Sequence, residues 1–169
     1  MVSPDENRRM ADSMNETTKR TILVVDDEQL VLGVVVAILE KGDFNVLQAD
    51  SAAGAVELAK HHDGKIDLLL SDVQMPGMTG PDLGATIKEA RPDIHIMLMS
   101  GYPGGNLLVL NYGWSFIEKP FVSTKLREMV NNVLNVPNKA QGANQYDTRK
   151  DTDPNGKVEA GQTPPADKK

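Results

Sequence analysis

Between residues 21 and 136, short apolar runs of strand length alternate with longer runs of helical length, punctuated by Gly, Pro, Asn, Asp and Ser. Residues 21–25 (TILVV) form the first strand-like run, and a helix over 29–41 follows and stops at Gly42. A second strand covers 44–49. Asp50 or Ser51 offers an N-cap to a helix reaching His62, with Gly64 beyond it. The third strand spans 66–71 and is fully apolar at Leu68, Leu69 and Leu70. Thr79 can cap the next helix, with Pro81 in its first turn and Pro92 past its end. A fourth strand over 94–99, a short helix over 105–110, a fifth strand over 113–117 and an amphipathic helix over 121–134 complete the pattern. Five strands alternating with five helices predict a parallel sheet covered on both faces. The expected fold is α/β and doubly wound, and 2-1-3-4-5 is the common strand order at this length.

The flanks differ. Residues 1–20 are polar and aperiodic, and residues 137–169 are rich in Gly, Pro, Asn, Asp and Lys with almost no large apolar side chains. Neither can bury enough surface to offset chain entropy. The expectation is a disordered arm over 1–20, one domain over 21–136 and a disordered polar tail over 137–169, with no output domain. Residues 1–20 lack the apolar segment of a signal peptide. The longest apolar stretch, 30–39, falls well short of the about 20 residues a membrane span takes. Cysteine is absent, so there is no disulfide or thiolate site. A cytoplasmic protein without membrane insertion is expected. Residues 21–136 hold 15 acidic and 8 basic side chains, which argues against nucleic-acid binding.

Chemistry-bearing residues recur at the ends of the strand-like runs: Asp26-Asp27, then Asp72, Ser100 and Lys119-Pro120. Each has a plain alternative: a helix cap, a turn aspartate before Pro and Gly, a turn serine, a solvated lysine. Strand ends of an open α/β sheet nevertheless converge on one edge, where ligands bind. Adjacent carboxylates there can anchor Mg²⁺, one directly and one through water. Asp72 can act as a carboxylate nucleophile that takes a phosphoryl group as an acyl phosphate. Ser100 and Lys119 offer a hydroxyl and an ammonium to phosphoryl oxygens. The Lys119-Pro120 bond is a candidate for cis geometry.

The segments VVDDE (24–28), LLLSDVQMPGMTG (68–80), MLMSGYP (97–103) and FIEKPF (116–121) carry a resemblance to the receiver domain of two-component response regulators, spanning residues 21–134. The resemblance implies a flavodoxin-like (βα)5 fold. Asp72 would be the phosphoacceptor, and Asp26, Asp27, Asp72 and the main-chain carbonyl of Gln74 would hold Mg²⁺. Ser100 would move to bond the phosphate, Lys119 would bridge to a phosphoryl oxygen, and Phe116 would be the aromatic switch residue. A histidine kinase or histidine phosphotransfer domain would donate the phosphate, and the receiver would dephosphorylate itself slowly. A stand-alone receiver signalling through protein contacts is implied.

Two features depart from the family pattern. Only 19 positions separate Ser100 from Lys119, leaving little room for a fourth helix. The first helix is apolar from Leu30 to Leu39 except at Gly33. Spacing assigns Leu30, Val34, Val35, Ile38 and Leu39 to the core and puts Leu32 and Val36 on the opposite side. Because receivers generally meet their kinases through this helix, Leu32 and Val36 are the expected docking contacts. Competing readings are a Mg²⁺-dependent aspartyl-phosphate phosphohydrolase and a phosphorylation-independent scaffold. His61-His62 suit a helix C-terminus, Met97 and Met99 suit a buried strand, and Trp114 suits packing.

Overall fold

The computed structural model describes residues 19–101 and 112–137. The expected helix over 105–110, and nearly all of the expected arm and tail, lie outside these residues.

The chain runs β1 (Thr21–Val25), α1 (Gln29–Glu40), β2 (Asn45–Ala49), α2 (Ala52–His61), β3 (Leu68–Asp72), α3 (Gly80–Ala90), β4 (His95–Ser100), β5 (Ser115–Glu118) and α4 (Ser123–Asn135). The strands form one sheet in the order β2-β1-β3-β4-β5, and every pairing is parallel. β1, β3 and β4 are buried along their whole length, as continuous apolar runs in a doubly covered sheet should be. Side chains alternate between two layers. Leu23, Val25, Leu69, Ile96 and Leu98 face α2 and α3, while Ile22, Val24, Leu68, Leu70, Met97 and Met99 face α1 and α4.

Local signals set the helix starts. Ser51 Oγ accepts from the N–H of Gly54, and Thr79 Oγ1 accepts from the N–H of Asp82. At the end of α1 the left-handed residue is Asp43, not Gly42. The C-terminal end of α2 is held from outside. Arg91 donates to the carbonyls of Ala59, His62 and Gly64, satisfying acceptors that the helix leaves open. Arg91→Ala should therefore lower stability by about 2 kcal/mol, the scale of hydrogen bonds to a charged donor, as read by urea unfolding.

The structure corrects the phase of α1. Leu32 is 4% exposed and packs in the core with Val35 and Leu39, and Val36 is half-buried against the same cluster. Leu30 and Val34 are exposed, at 87% and 58%. A helix apolar at almost every position carries no periodicity from which to read its inward face. Facing residues decide it, here Leu126, Val130 and Phe44 in the same core cluster. Leu32 and Val36 thus cannot be the docking pair.

Candidate functional site

Register alone builds the site. Val25 of β1 is opposite Ser71 of β3, so Asp26 and Asp72, the next residues, are neighbours at the carboxyl edge. Ser100 of β4 is opposite Glu118 of β5, which brings Lys119 to the same edge. The peptide N–H of Lys119 donates to Ser100 O at 2.8 Å, tying the two strand ends together. Chain order reverses between β1 and β3, the place where open α/β sheets bind ligands.

Asp26 is fully buried, and both its oxygens are engaged: Oδ1 accepts from the N–H of Glu28 at 2.9 Å, Oδ2 from Lys119 Nζ at 2.8 Å. Asp72 is matched in the same way, Oδ1 accepting from Lys119 Nζ at 2.6 Å and Oδ2 from the N–H of Gln74 at 2.8 Å. One ammonium thus lies between two buried carboxylates. Burial by itself pulls the Lys119 ammonium down, but the hydrogen bonds to Asp26 and Asp72, with their charges, outweigh it and hold its pKa above the usual lysine value. Lys119 therefore stays charged throughout the neutral range. The Lys119-Pro120 peptide is cis, as the turn signal suggested.

Asp26, Asp72, Ser100 and Lys119 are brought together. Ser100 is buried at the last position of β4, and Phe116 is half-buried on β5 against the layer under α2 and α3. Asp27 is exposed. Among the described residues, no three His, Cys, Asp or Glu side chains stand together as a metal-holding group. The expected carboxylate trio is accordingly not preassembled: Asp26 and Asp72 converge on a cation, and Asp27 lies outside that pair. The hard oxygen donors of Asp26 and Asp72, already shared by one positive charge, fit a divalent cation such as Mg²⁺.

The sequence marks Gly80, with Pro76 and Gly77, only as shaping the loop beside Asp72; what sequence reasoning missed is that Gly80 is the first residue of α3. A Cβ there would lie 2.1 Å from the carbonyl oxygen of Asp72, and the Gly80 N–H donates to Val73 O at 2.9 Å. Glycine lets α3 start directly against the backbone of Asp72; the available signal was a glycine immediately after the capping Thr79. Also missed was an apolar groove of about 440 Å³ lined by Leu30, Val31, Val34, Val35, Pro120 and Phe121, with Lys119 at its side. Among the described residues, no helix is long and apolar enough to cross a membrane.

Comparison with known proteins agrees with this architecture. The family model described as response regulator receiver domain matches residues 22–131. The sensor kinase CckA of Brucella abortus is 34% identical over 118 residues, covering 68% of this chain and 12% of that protein. The autoinducer 1 sensor kinase/phosphatase LuxN of Vibrio campbellii is 37% identical over 117 residues, covering 68% and 14%. The chain thus spans only a small part of these relatives' length. Among solved structures, the receiver domain of the hybrid histidine kinase CckA superposes with a TM-score of 0.59 at 34% identity, covering 68% of this chain and 98% of that one. A response regulator receiver domain protein from Clostridium thermocellum gives 0.63 at 27% identity, covering 69% and 94%. With the family matched over most of the chain and the same strand order observed, the protein belongs to the response regulator receiver domain family.

Proposed function

We propose that this protein is a cytoplasmic phosphorylation switch in two-component or phosphorelay signalling, accepting a phosphoryl group on Asp72 and acting through protein contacts. The observation that carries the reading is the Lys119 ammonium held between the Asp26 and Asp72 carboxylates at a strand-end switch point. The donor is a phosphohistidine of a histidine kinase or phosphotransfer domain. A carboxylate oxygen of Asp72 attacks phosphorus, a P–O bond forms as the P–N bond breaks, and the leaving imidazole takes up a proton. Phosphoryl transfer needs alignment and charge neutralisation more than covalent help. The main-chain N–H of Gln74 orients Asp72, and Lys119 is placed to neutralise a phosphoryl oxygen. Asp26, Asp27, Asp72 and the Gln74 main-chain carbonyl would hold Mg²⁺, which supplies further neutralisation of the phosphoryl charge. Ser100 then draws toward the phosphoryl oxygens, and Phe116 follows as the packing element of the switch. Hydrolysis of the acyl phosphate at the same site resets it slowly, without turnover of free phosphate monoesters.

Intact mass after incubation with Mg²⁺ and acetyl phosphate tests this reading. One base-labile phosphoryl adduct is expected in the wild type, and none in Asp72→Asn or with EDTA. A wild type that takes no adduct overturns it.

The docking surface moves to the exposed face of α1. Leu30 and Val34, with Pro120 and Phe121 across the groove, offer an apolar seat for a partner helix beside Lys119. Leu30→Lys combined with Val34→Lys should slow transfer from the cognate kinase at least about tenfold, as loss of an interface anchor does. Labelling by acetyl phosphate, which needs no docking, should be unchanged.

A further inference from the structure

The switch so far ends at Phe116. Two further contacts extend it to the surface. Gly84 lies on α3 one turn beyond Gly80, is buried, and faces Trp114 just before β5. A Cβ at Gly84 would lie 2.9 Å from the indole and 3.2 Å from Ile96 Cδ1, so the indole fills a notch that only glycine leaves. Trp114 also stacks on Tyr112, with ring centroids 4.5 Å apart and planes 20° from parallel. Tyr112 is 41% exposed.

Two lines of direct contact therefore run from the phosphoacceptor to Trp114. One passes through α3, whose first residue abuts the Asp72 carbonyl and whose second turn carries the notch. The other passes through β5. Lys119 is bonded to Asp72 and, through its backbone, to Ser100; Phe116 and Trp114 lie on the same side of the strand, packed on the same core layer. β5 is four residues long and, among the described residues, an edge strand paired with β4 alone. It is therefore the strand with the least to hold it in place.

We propose that Trp114, wedged into the Gly84 notch, is a latch that reads the state of Asp72 from both α3 and β5 and reports it at the exposed Tyr112 ring. The latch rests on the phosphorylation reading above. When new phosphoryl oxygens engage Lys119 and Ser100, β5 shifts, Phe116 turns inward and the indole leaves the notch. In the unphosphorylated protein the notch holds the aromatic pair closed.

Trp114 is the only tryptophan in the chain, so its fluorescence reports the latch alone. In full-length wild type carrying the acetyl-phosphate adduct by mass, the emission maximum should shift to the red and acrylamide quenching should increase. Asp72→Asn should show neither change. Gly84→Ala, whose new methyl pushes on the indole, should start red-shifted and lose most of the response while still taking the adduct. An adduct that forms in the wild type without any change in emission or quenching overturns the latch and leaves the phosphorylation reading standing. Failure of the wild type to take the adduct overturns both. A Gly84→Ala protein with wild-type emission and wild-type response also overturns the latch.

Discussion

Gly80→Ala is expected to destabilise the protein by about 3 kcal/mol and to abolish acetyl-phosphate labelling. The added methyl would lie 2.1 Å from the Asp72 carbonyl oxygen and 3.1 Å from the Val73 Cα, both backbone atoms with no rotamer to turn away. Overpacking of this kind costs about 1–3 kcal/mol, and here the upper end applies because a helix start or a central strand must move. Helix propensity opposes the cost by at most about 1 kcal/mol, and less at the first residue of a helix. Strain would also fall on the backbone that presents the Asp72 carboxylate, so chemistry should fail even where the fold survives. Gly33→Ala is the internal control. Gly33 is in the middle of α1, is exposed, and nothing lies within 4 Å of an added Cβ. The same substitution there should stabilise by up to about 1 kcal/mol and leave labelling intact. Urea unfolding of the two variants, with intact mass after labelling, checks both signs. Equal effects at the two positions would mean that the contact with Asp72 is not what constrains Gly80.

These two glycines also mark how far the sequence was readable. Strand order, and the meeting of Asp26, Asp72, Ser100 and Lys119 at one edge, follow from the alternating pattern, because parallel βα units place successive strand ends together. Boundaries moved by one or two residues, enough to put Asp72 and Ser100 inside β3 and β4 instead of just after them. What periodicity could not supply was the rotation of α1. QLVLGVVVAILE is apolar at nearly every turn, so a core face chosen by counting can be off by a fraction of a turn, and that difference exchanged Leu32 and Val36 for Leu30 and Val34. Close glycine contacts were illegible for a related reason. Gly33, Gly80 and Gly84 all fall within helices, and only the partner backbone or ring distinguishes a needed glycine from a tolerated one.

Lys119→Met should turn a self-contained fold into one whose stability depends on Mg²⁺. Lys119 is 16% exposed at its side chain and is the cation between Asp26, with no exposed side-chain surface, and Asp72. Without the ammonium, two carboxylates remain side by side in a site that shields them poorly. Removing one partner of a fully buried ion pair costs about 3–5 kcal/mol; the residual exposure of Lys119 lets water recover part of this, so about 2–3 kcal/mol is expected at neutral pH without metal. A divalent cation binding the folded state alone then restores stability in proportion to RT ln(1 + [Mg²⁺]/Kd), about 2.7 kcal/mol at a hundredfold excess over Kd. In the wild type the ammonium already supplies positive charge, so its unfolding midpoint should respond to Mg²⁺ much less steeply. The experiment is thermal unfolding of both proteins across a Mg²⁺ titration, with Ca²⁺ as a second hard cation and NaCl as an ionic-strength control. A Lys119→Met midpoint that rises no faster with Mg²⁺ than the wild type's would show that Asp26 and Asp72 do not form the cation site. Labelling adds an independent reading. With Mg²⁺ present the variant keeps its nucleophile and loses one neutralising group, so the adduct should still form, only more slowly than in the wild type, whereas Asp72→Asn should give none at any Mg²⁺ concentration.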